Sequence, residues 1–315
     1  VQSPPPTARP DEAEQSIRVS LQHKLEAAGF FVISRLIRSM SVDQASALIG
    51  WLWRIFARHN ARHGRALDNL ALAFPDMDEA ERQRIALGMW DNLGRVFAES
   101  FLLDQIGREP DRVDLSGAEA VARLAGSGRG AVLVSLHLGD WELASQAAMR
   151  LGLAPAGVYQ ELRNPLVEAH VRAMRLPWYS GGLYKKKRGE DNTALKILRH
   201  VRAGGAVAIL GDLRDGRGVE VPFFGKQAWA THFPALIARS LGVPLIAAAI
   251  IRTKGVHFTA KAVEIPIPRT THRDADVLAA TAEVHRVFET WIRANPEQWF
   301  WIHRKWARPG ERATD

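Results

Sequence analysis

Ala131-Val132-Leu133-Val134-Ser135-Leu136-His137-Leu138-Gly139-Asp140-Trp141-Glu142 is the stretch that decides the fold. Residues 131–136 form a short apolar run behind Gly126-Ser127-Gly128-Arg129-Gly130, which reads as a helix stop and a turn, and residues 141–151 then read as a helix. His137 therefore falls at the carboxyl end of a buried strand, where open α/β sheets carry their chemistry. With Gly139-Asp140 as the turn, Glu142 lies in the first turn of the helix, within reach of the imidazole. A carboxylate there fixes the histidine tautomer and stabilises the imidazolium formed when His137 takes a proton. The same two residues also suit a structural histidine and a favourable charge near a helix N-terminus. Taken alone, the pair does not choose between these readings.

The alternation of strand and helix continues on the carboxyl side. Strands are expected at 131–136, 156–160, 206–210, 244–252 and 257–264, with helices at 141–151, 165–175, 191–203 and 233–241 between them. That order specifies an α/β fold with a mixed, mostly parallel central sheet covered by helices. On the amino side, helices are expected at 20–39, 43–59, 65–74 and from 79 to about 103. Asp78 with Glu81 has capping-box spacing and marks the start of the last of these.

Residues 1–60 are expected to comprise a disordered tail, beginning with Ser3-Pro4-Pro5-Pro6, and two amphipathic membrane-associating helices. In the second part of this arm Trp51, Leu52, Trp53, Ile55 and Phe56 interleave with Arg54 and Arg58, a mixture that suits a helix lying in a bilayer interface and equally suits core helices. Arg35, Arg38, Asp43 and Arg54 interrupt the apolar stretches, so none reaches the roughly 18 residues of a spanning helix. Residues 61–308 are expected to form the main domain and 309–315 a tail.

The chain has 315 residues, a formal charge of +8 and a sequence pI near 10.1. Such a balance implies an anionic partner: a membrane surface, an acidic protein, a phosphorylated substrate or a nucleic acid. With no cysteine in the chain, disulfides, zinc–thiolate sites and a cysteine nucleophile are excluded. There is no Gly-x-Ser-x-Gly elbow, no His-Glu-x-x-His and no P-loop. His59 with His63, and His285 with Glu289, have i,i+4 spacing without a third ligand and read as solvated helix faces. Asp212 follows the run 206–211 and shares the strand-end position of His137. Arg175 closes the helix at 165–175, near the basic run Lys185-Lys186-Lys187-Arg188.

These residues carry a resemblance. Asp68-Asn69-Leu70-Ala71-Leu72-Ala73-Phe74-Pro75, Met89-Trp90-Asp91-Asn92-Leu93-Gly94-Arg95, His137 with four residues before Glu142, Arg163-Asn164-Pro165, Val221-Pro222-Phe223-Phe224-Gly225 and Pro296-Glu297-Gln298-Trp299-Phe300-Trp301-Ile302-His303-Arg304 stand in order. The chain resembles the late acyltransferases of lipid A biosynthesis, the lauroyl/myristoyl transferase family, and its alphaproteobacterial members most, from roughly Trp51 to Trp306. The resemblance implies a glycerol-3-phosphate-acyltransferase-like fold in which residues 61–308 are the acyltransferase domain. It implies transfer of a fatty acyl chain from acyl carrier protein to the hydroxyl of a 3-hydroxyacyl chain on a phosphorylated glycolipid, with no cofactor and no nucleic acid. It further implies His137 as general base, Glu142 orienting it, Arg175 binding acceptor phosphate or supporting the oxyanion, and Asp212 organising the site. The implied location is the cytoplasmic face of the bacterial inner membrane, in peripheral or monotopic attachment. Trp299, Trp301 and Trp306 then suit either an interface or the core.

Three other readings stand beside it. A related acceptor, such as a mannosylated phosphoinositide or another hydroxylated lipid, keeps the acyl transfer and changes its target. Water in place of the acceptor hydroxyl gives a thioesterase or lipid esterase. A basic membrane-binding protein without catalysis would use the charge and leave the His137–Glu142 pair idle.

Overall fold

The computed structural model describes residues 19–185 and 192–306. The tails expected at either end, and residues 186–188 of the basic run, lie outside the described residues.

The strands are β1 (Val113–Gly117), β2 (Ala131–Ser135), β3 (Pro155–Tyr159), β4 (Leu183–Lys185), β5 (Ala206–Leu210), β6 (Arg214–Phe223), β7 (Lys226–Ala230), β8 (Leu245–Lys254) and β9 (His257–Ile265). Seven of them make one sheet in the order β1-β9-β8-β2-β5-β3-β4, with β6 and β7 paired separately. β8, β2, β5, β3 and β4 are mutually parallel, while β9 runs antiparallel to β8 and takes β1 parallel to itself. The sheet is therefore mixed and mostly parallel, as its alternating elements require. β2 lies at its centre with every residue buried, which is why its sequence is a continuous apolar run and not an alternation.

All five expected strands and all the expected helices form, with ends shifted by a few residues. The helix expected at 141–151 opens as a 3₁₀ turn, Trp141–Leu143, before Ala144–Arg150 becomes α-helical. β6 was not expected because Gly216, Gly218 and Pro222 break its pattern. It pairs with β7 through a two-residue loop in which Phe224 (φ 51°) and Gly225 (φ 70°) both take positive φ, as a tight hairpin demands. Phe223 and Phe224 then pack on Trp299, Trp301 and Trp306. Trp299 and Trp301 are thus core residues, 1% and 0% exposed.

The N-terminal helices Leu21–Arg38 and Val42–Phe56 start at Ser20 and Ser41, whose hydroxyls accept from the backbone N–H groups of His23 and Gln44. The second packs along the Glu79–Ser100 helix, itself capped by Asp78 accepting from Glu81 N–H at 2.7 Å. Their approach requires glycine: a Cβ on Gly94 would lie 2.6 Å from the Ile49 carbonyl oxygen. Ala45 and Ser46 face this contact and are fully buried, whereas Leu21, Leu25, Val32, Leu36, Leu48, Trp51 and Phe56 are exposed. No described helix is long and apolar enough to cross a membrane.

Candidate active site

β2 and β5 are parallel neighbours in which Ser135 is opposite Leu210. Two residues beyond each partner come His137 and Asp212, so the register alone brings the two side chains together above the carboxyl edge of the sheet. Asp212 is fully buried and accepts three hydrogen bonds: from His137 Nδ1 at 2.8 Å, from the His137 backbone N–H at 2.9 Å and from the Trp299 indole N–H at 2.9 Å. Burial works to raise its pKa, but the charge and hydrogen bonds of His137 overcome this and hold it well below the usual carboxylate range. An ionised carboxylate can only accept, so His137 Nδ1 carries a ring proton and Nε2 is the nitrogen left to exchange a proton with a substrate. Trp141 and Phe300 flank the ring at centroid distances of 5.0 and 5.6 Å.

Glu142 has a different partner from the one expected. Its two oxygens accept from Arg175 Nε at 2.9 Å and Arg175 Nη2 at 2.5 Å, a bidentate pair that is largely shielded from solvent. The 3₁₀ turn is the physical reason: it starts one residue before Glu142 and carries the carboxylate toward the end of the Pro165–Arg175 helix, and the imidazole is taken by Asp212 from the next strand. Burial works against the Arg175 charge, and the Glu142 carboxylate more than restores it, raising its pKa. The turn itself is pinned. Asp140 N–H donates to Ile250 O, Gly139 N–H to Gln298 O, and Asn92 Nδ2 to Gly139 O. Gly139 has φ 62°, and a Cβ there would fall 1.9 Å from the Ile250 carbonyl oxygen, so only glycine fits.

His137, Glu142 and Arg175 line one cleft of about 370 Å³, together with Ser135, Trp141, Ser145, Tyr179 and Leu213. Beneath it lies a small apolar void of about 40 Å³ lined by Ala118, Ala147, Ala148, Leu151, Ala248 and Ala262; Ser135, Ala144 and Ala208 border both spaces. Among the described residues, no group of three or more His, Asp or Glu is placed to hold a metal ion.

Behind Asp212 is a buried basic cluster. His285 was expected on a solvated helix face, yet it is 1% exposed, because the Arg273–Ala294 helix turns that face onto Phe223 and Lys305. Its Nδ1 bonds to Thr281 O at 2.9 Å, so Nε2 accepts from Lys305 Nζ at 3.0 Å. Burial brings Lys305 down to about 7, partly countered by the Asp212 charge. Burial, with Lys305 nearby, brings His285 down to about 3. His63, also expected to be solvated, accepts the Trp90 indole N–H at 3.0 Å and meets Gln83 at 3.0 Å. Lys185 pairs with Glu161. Sequence reading missed Trp141, Tyr179 and Phe300 as walls of the site and Glu99 and Arg252 as its support. Of these, Trp141 and Phe300 lie in segments quoted above, as does Asn92, which pins the turn.

The chain matches the family model described as bacterial lipid A biosynthesis acyltransferase over residues 18–308. It is 28% identical over 253 residues to a lipid A biosynthesis lauroyltransferase of Escherichia coli (strain K12), covering 75% of this chain and 76% of that protein. To a lipid A biosynthesis palmitoleoyltransferase of the same organism it is 25% identical over 267 residues, 82% of each chain. To a phosphatidylinositol mannoside acyltransferase of Mycobacterium tuberculosis (strain ATCC 25618 / H37Rv) it is 26% identical over 270 residues, 79% of this chain and 80% of that protein. With the family model matched across nearly the whole chain and an α/β sheet carrying a histidine cleft at its carboxyl edge, this protein belongs to the bacterial lipid A biosynthesis acyltransferase family.

Proposed function

We propose that this chain moves a fatty acyl group from the thioester of acyl carrier protein to the hydroxyl of a 3-hydroxyacyl chain on a phosphorylated lipid A precursor. His137 Nε2 takes the hydroxyl proton as the oxygen attacks the thioester carbonyl. Asp212 holds the ring and stabilises the imidazolium. Arg175, fixed by Glu142, supports the developing oxyanion or the acceptor phosphate. When the carbonyl re-forms, the carrier's thiolate leaves and takes the proton from His137, so no covalent enzyme intermediate is needed. The observation that carries this reading is the Asp212–His137 pair opening, with Arg175, into one cleft at the sheet's carboxyl edge.

The acyl chain is assigned to the cleft and the alanine-lined void below it. The exposed apolar side of the two N-terminal helices, with Arg54 and Arg58 beside it, is assigned to the membrane interface, in peripheral attachment at the inner membrane's cytoplasmic face. The charge of +8 suits an acidic carrier and an anionic acceptor. A second acceptor class, a mannosylated phosphoinositide, is favoured only by the mycobacterial relative.

Purified protein given acyl carrier protein thioester and a lipid A precursor is expected to add one acyl chain to the lipid, and His137→Ala to add none. Transfer to the mannosylated lipid alone would move the acceptor. Free fatty acid released at the same rate with and without lipid would replace transfer by hydrolysis. Full transfer by His137→Ala would remove the mechanism.

A further inference from the structure

The turn that presents Glu142 rests on a pair of buried carboxyl groups. Asp140 and Glu99 are both 0% exposed and face one another. Glu99 accepts from Arg252 Nη1 and Nη2, each at 2.7 Å, and from the Ser46 hydroxyl at 2.7 Å. A carboxylate offers about four acceptor positions, so three are filled. Asp140 Oδ1 accepts the Glu142 backbone N–H at 3.0 Å, while its Oδ2 is buried with no donor directed at it. Arg252 is the cation serving this pair. Its Nε donates to Asn92 Oδ1, its Nη1 also to the Gly255 carbonyl oxygen, and its guanidinium lies 4.7 Å from the Phe258 ring centroid. Arg95 is engaged by Asp91 at 2.6 Å and reaches the Ser46 hydroxyl at 3.3 Å, not either carboxyl group.

Two ionised carboxylates in contact at full burial, served by one guanidinium, leave one charge uncompensated, Asp140 Oδ2 without a hydrogen and one Glu99 acceptor position empty. Such an arrangement is less stable than one with a protonated acid at this site. A single proton removes all of these faults. We propose that Asp140 is a neutral carboxylic acid whose Oδ2 hydroxyl donates to Glu99, filling its fourth acceptor position, while Oδ1 caps the Glu142 N–H. Burial and the Glu99 charge push the Asp140 pKa well above the ordinary carboxylate range in the same sense.

Asp140 is thereby a positioning residue. It joins the N-terminal helix bearing Ser46, through Glu99 and Arg252, to the turn that sets Glu142 on Arg175. Its effect on turnover rests on the acyl-transfer reading above; its protonation does not.

The test uses the full chain with Asp140→Asn and Asp140→Ala. An amide supplies both contacts, an N–H to Glu99 and a carbonyl to the Glu142 N–H, whereas alanine supplies neither. Asp140→Asn is expected to retain most of kcat; Asp140→Ala is expected to lose about 100-fold in kcat with little change in KM for the thioester, the scale of a misplaced catalytic group. In parallel, the infrared spectrum of the native protein at neutral pH is expected to hold a carboxylic acid carbonyl band that Asp140→Asn removes. Folded Asp140→Asn that is as inactive as Asp140→Ala overturns the proposal, and so does the absence of a band sensitive to Asp140→Asn. If the native protein shows no acyl transfer, that reading fails while the infrared band still decides the carboxyl pair.

Discussion

Asp212 Oδ1 lies 2.8 Å from His137 Nδ1, and its second oxygen accepts the His137 backbone N–H at 2.9 Å. One fully buried carboxylate thus fixes the ring's tautomer, its rotation and the strand end that carries it. Asp212→Asn keeps the shape but lets an amide N–H face Nδ1, which favours the tautomer with its proton on Nε2. Loss of kcat by roughly 10³- to 10⁴-fold is expected, with KM for the thioester little changed. Steady-state kinetics on the folded variant checks it; activity within tenfold of native would show that tautomer control is not what Asp212 supplies.

Glu142 and Arg175 act as one unit, since both carboxylate oxygens are held by the same guanidinium. Glu142→Gln and Arg175→Met are each expected to lower kcat by about 100-fold, and the double variant to be no worse than the poorer single one, because residues acting together are not additive. Multiplying losses in the double-mutant cycle would show two independent roles.

The strands themselves and the strand-end positions of His137 and Asp212 were within reach of the sequence because both rest on periodicity: apolar runs mark β2 and β5, and each ends two residues before its polar side chain. What the sequence concealed was lateral. Chain proximity favoured Glu142 as the partner of His137, yet in a parallel sheet the neighbour across the register, 75 residues away, stands closer than a residue around a turn. His285 misled for a related reason. Its i,i+4 companion Glu289 faces Arg293 and the Phe224 N–H, and nothing local announces that Lys305, 20 residues on, folds back beneath it. Glu99, Asp140 and Arg252 come from three separate elements, so no spacing rule joins them.

The buried bases give stability a definite pH dependence. Lys305 falls from an ordinary 10.5 to about 7 in the fold, and His285 from 6.5 to about 3. For each, the unfolded chain binds more protons between the two values, so folding stability rises with pH through that window. Stability is therefore expected to climb from about pH 3 to 6.5 on account of His285 and from about 7 to 10.5 on account of Lys305. Asp212, lowered in the fold, adds a loss in strong acid, as pH falls through its folded value. Lys305→Met is expected to flatten the alkaline slope and to raise the unfolding midpoint at neutral pH. Thermal unfolding of native and variant protein across this range measures both; an unchanged slope would mean the lysine is compensated elsewhere.

Chain length is expected to follow from the void below the cleft. Ala148 borders it but not the cleft, is 4% exposed, and lies on the Ala144–Arg150 helix one turn beyond Ala144, which borders both spaces. Ala148→Leu fills space without reaching His137 or Arg175, at an overpacking cost of about 1–3 kcal/mol. Given a mixture of carrier thioesters, the variant is expected to transfer shorter chains than the native protein at a similar total rate, read as the product mass distribution. A uniform fall in rate with unchanged chain preference would place the end of the acyl chain elsewhere, since a plug at the far end of a slot excludes long chains while leaving short ones free to react.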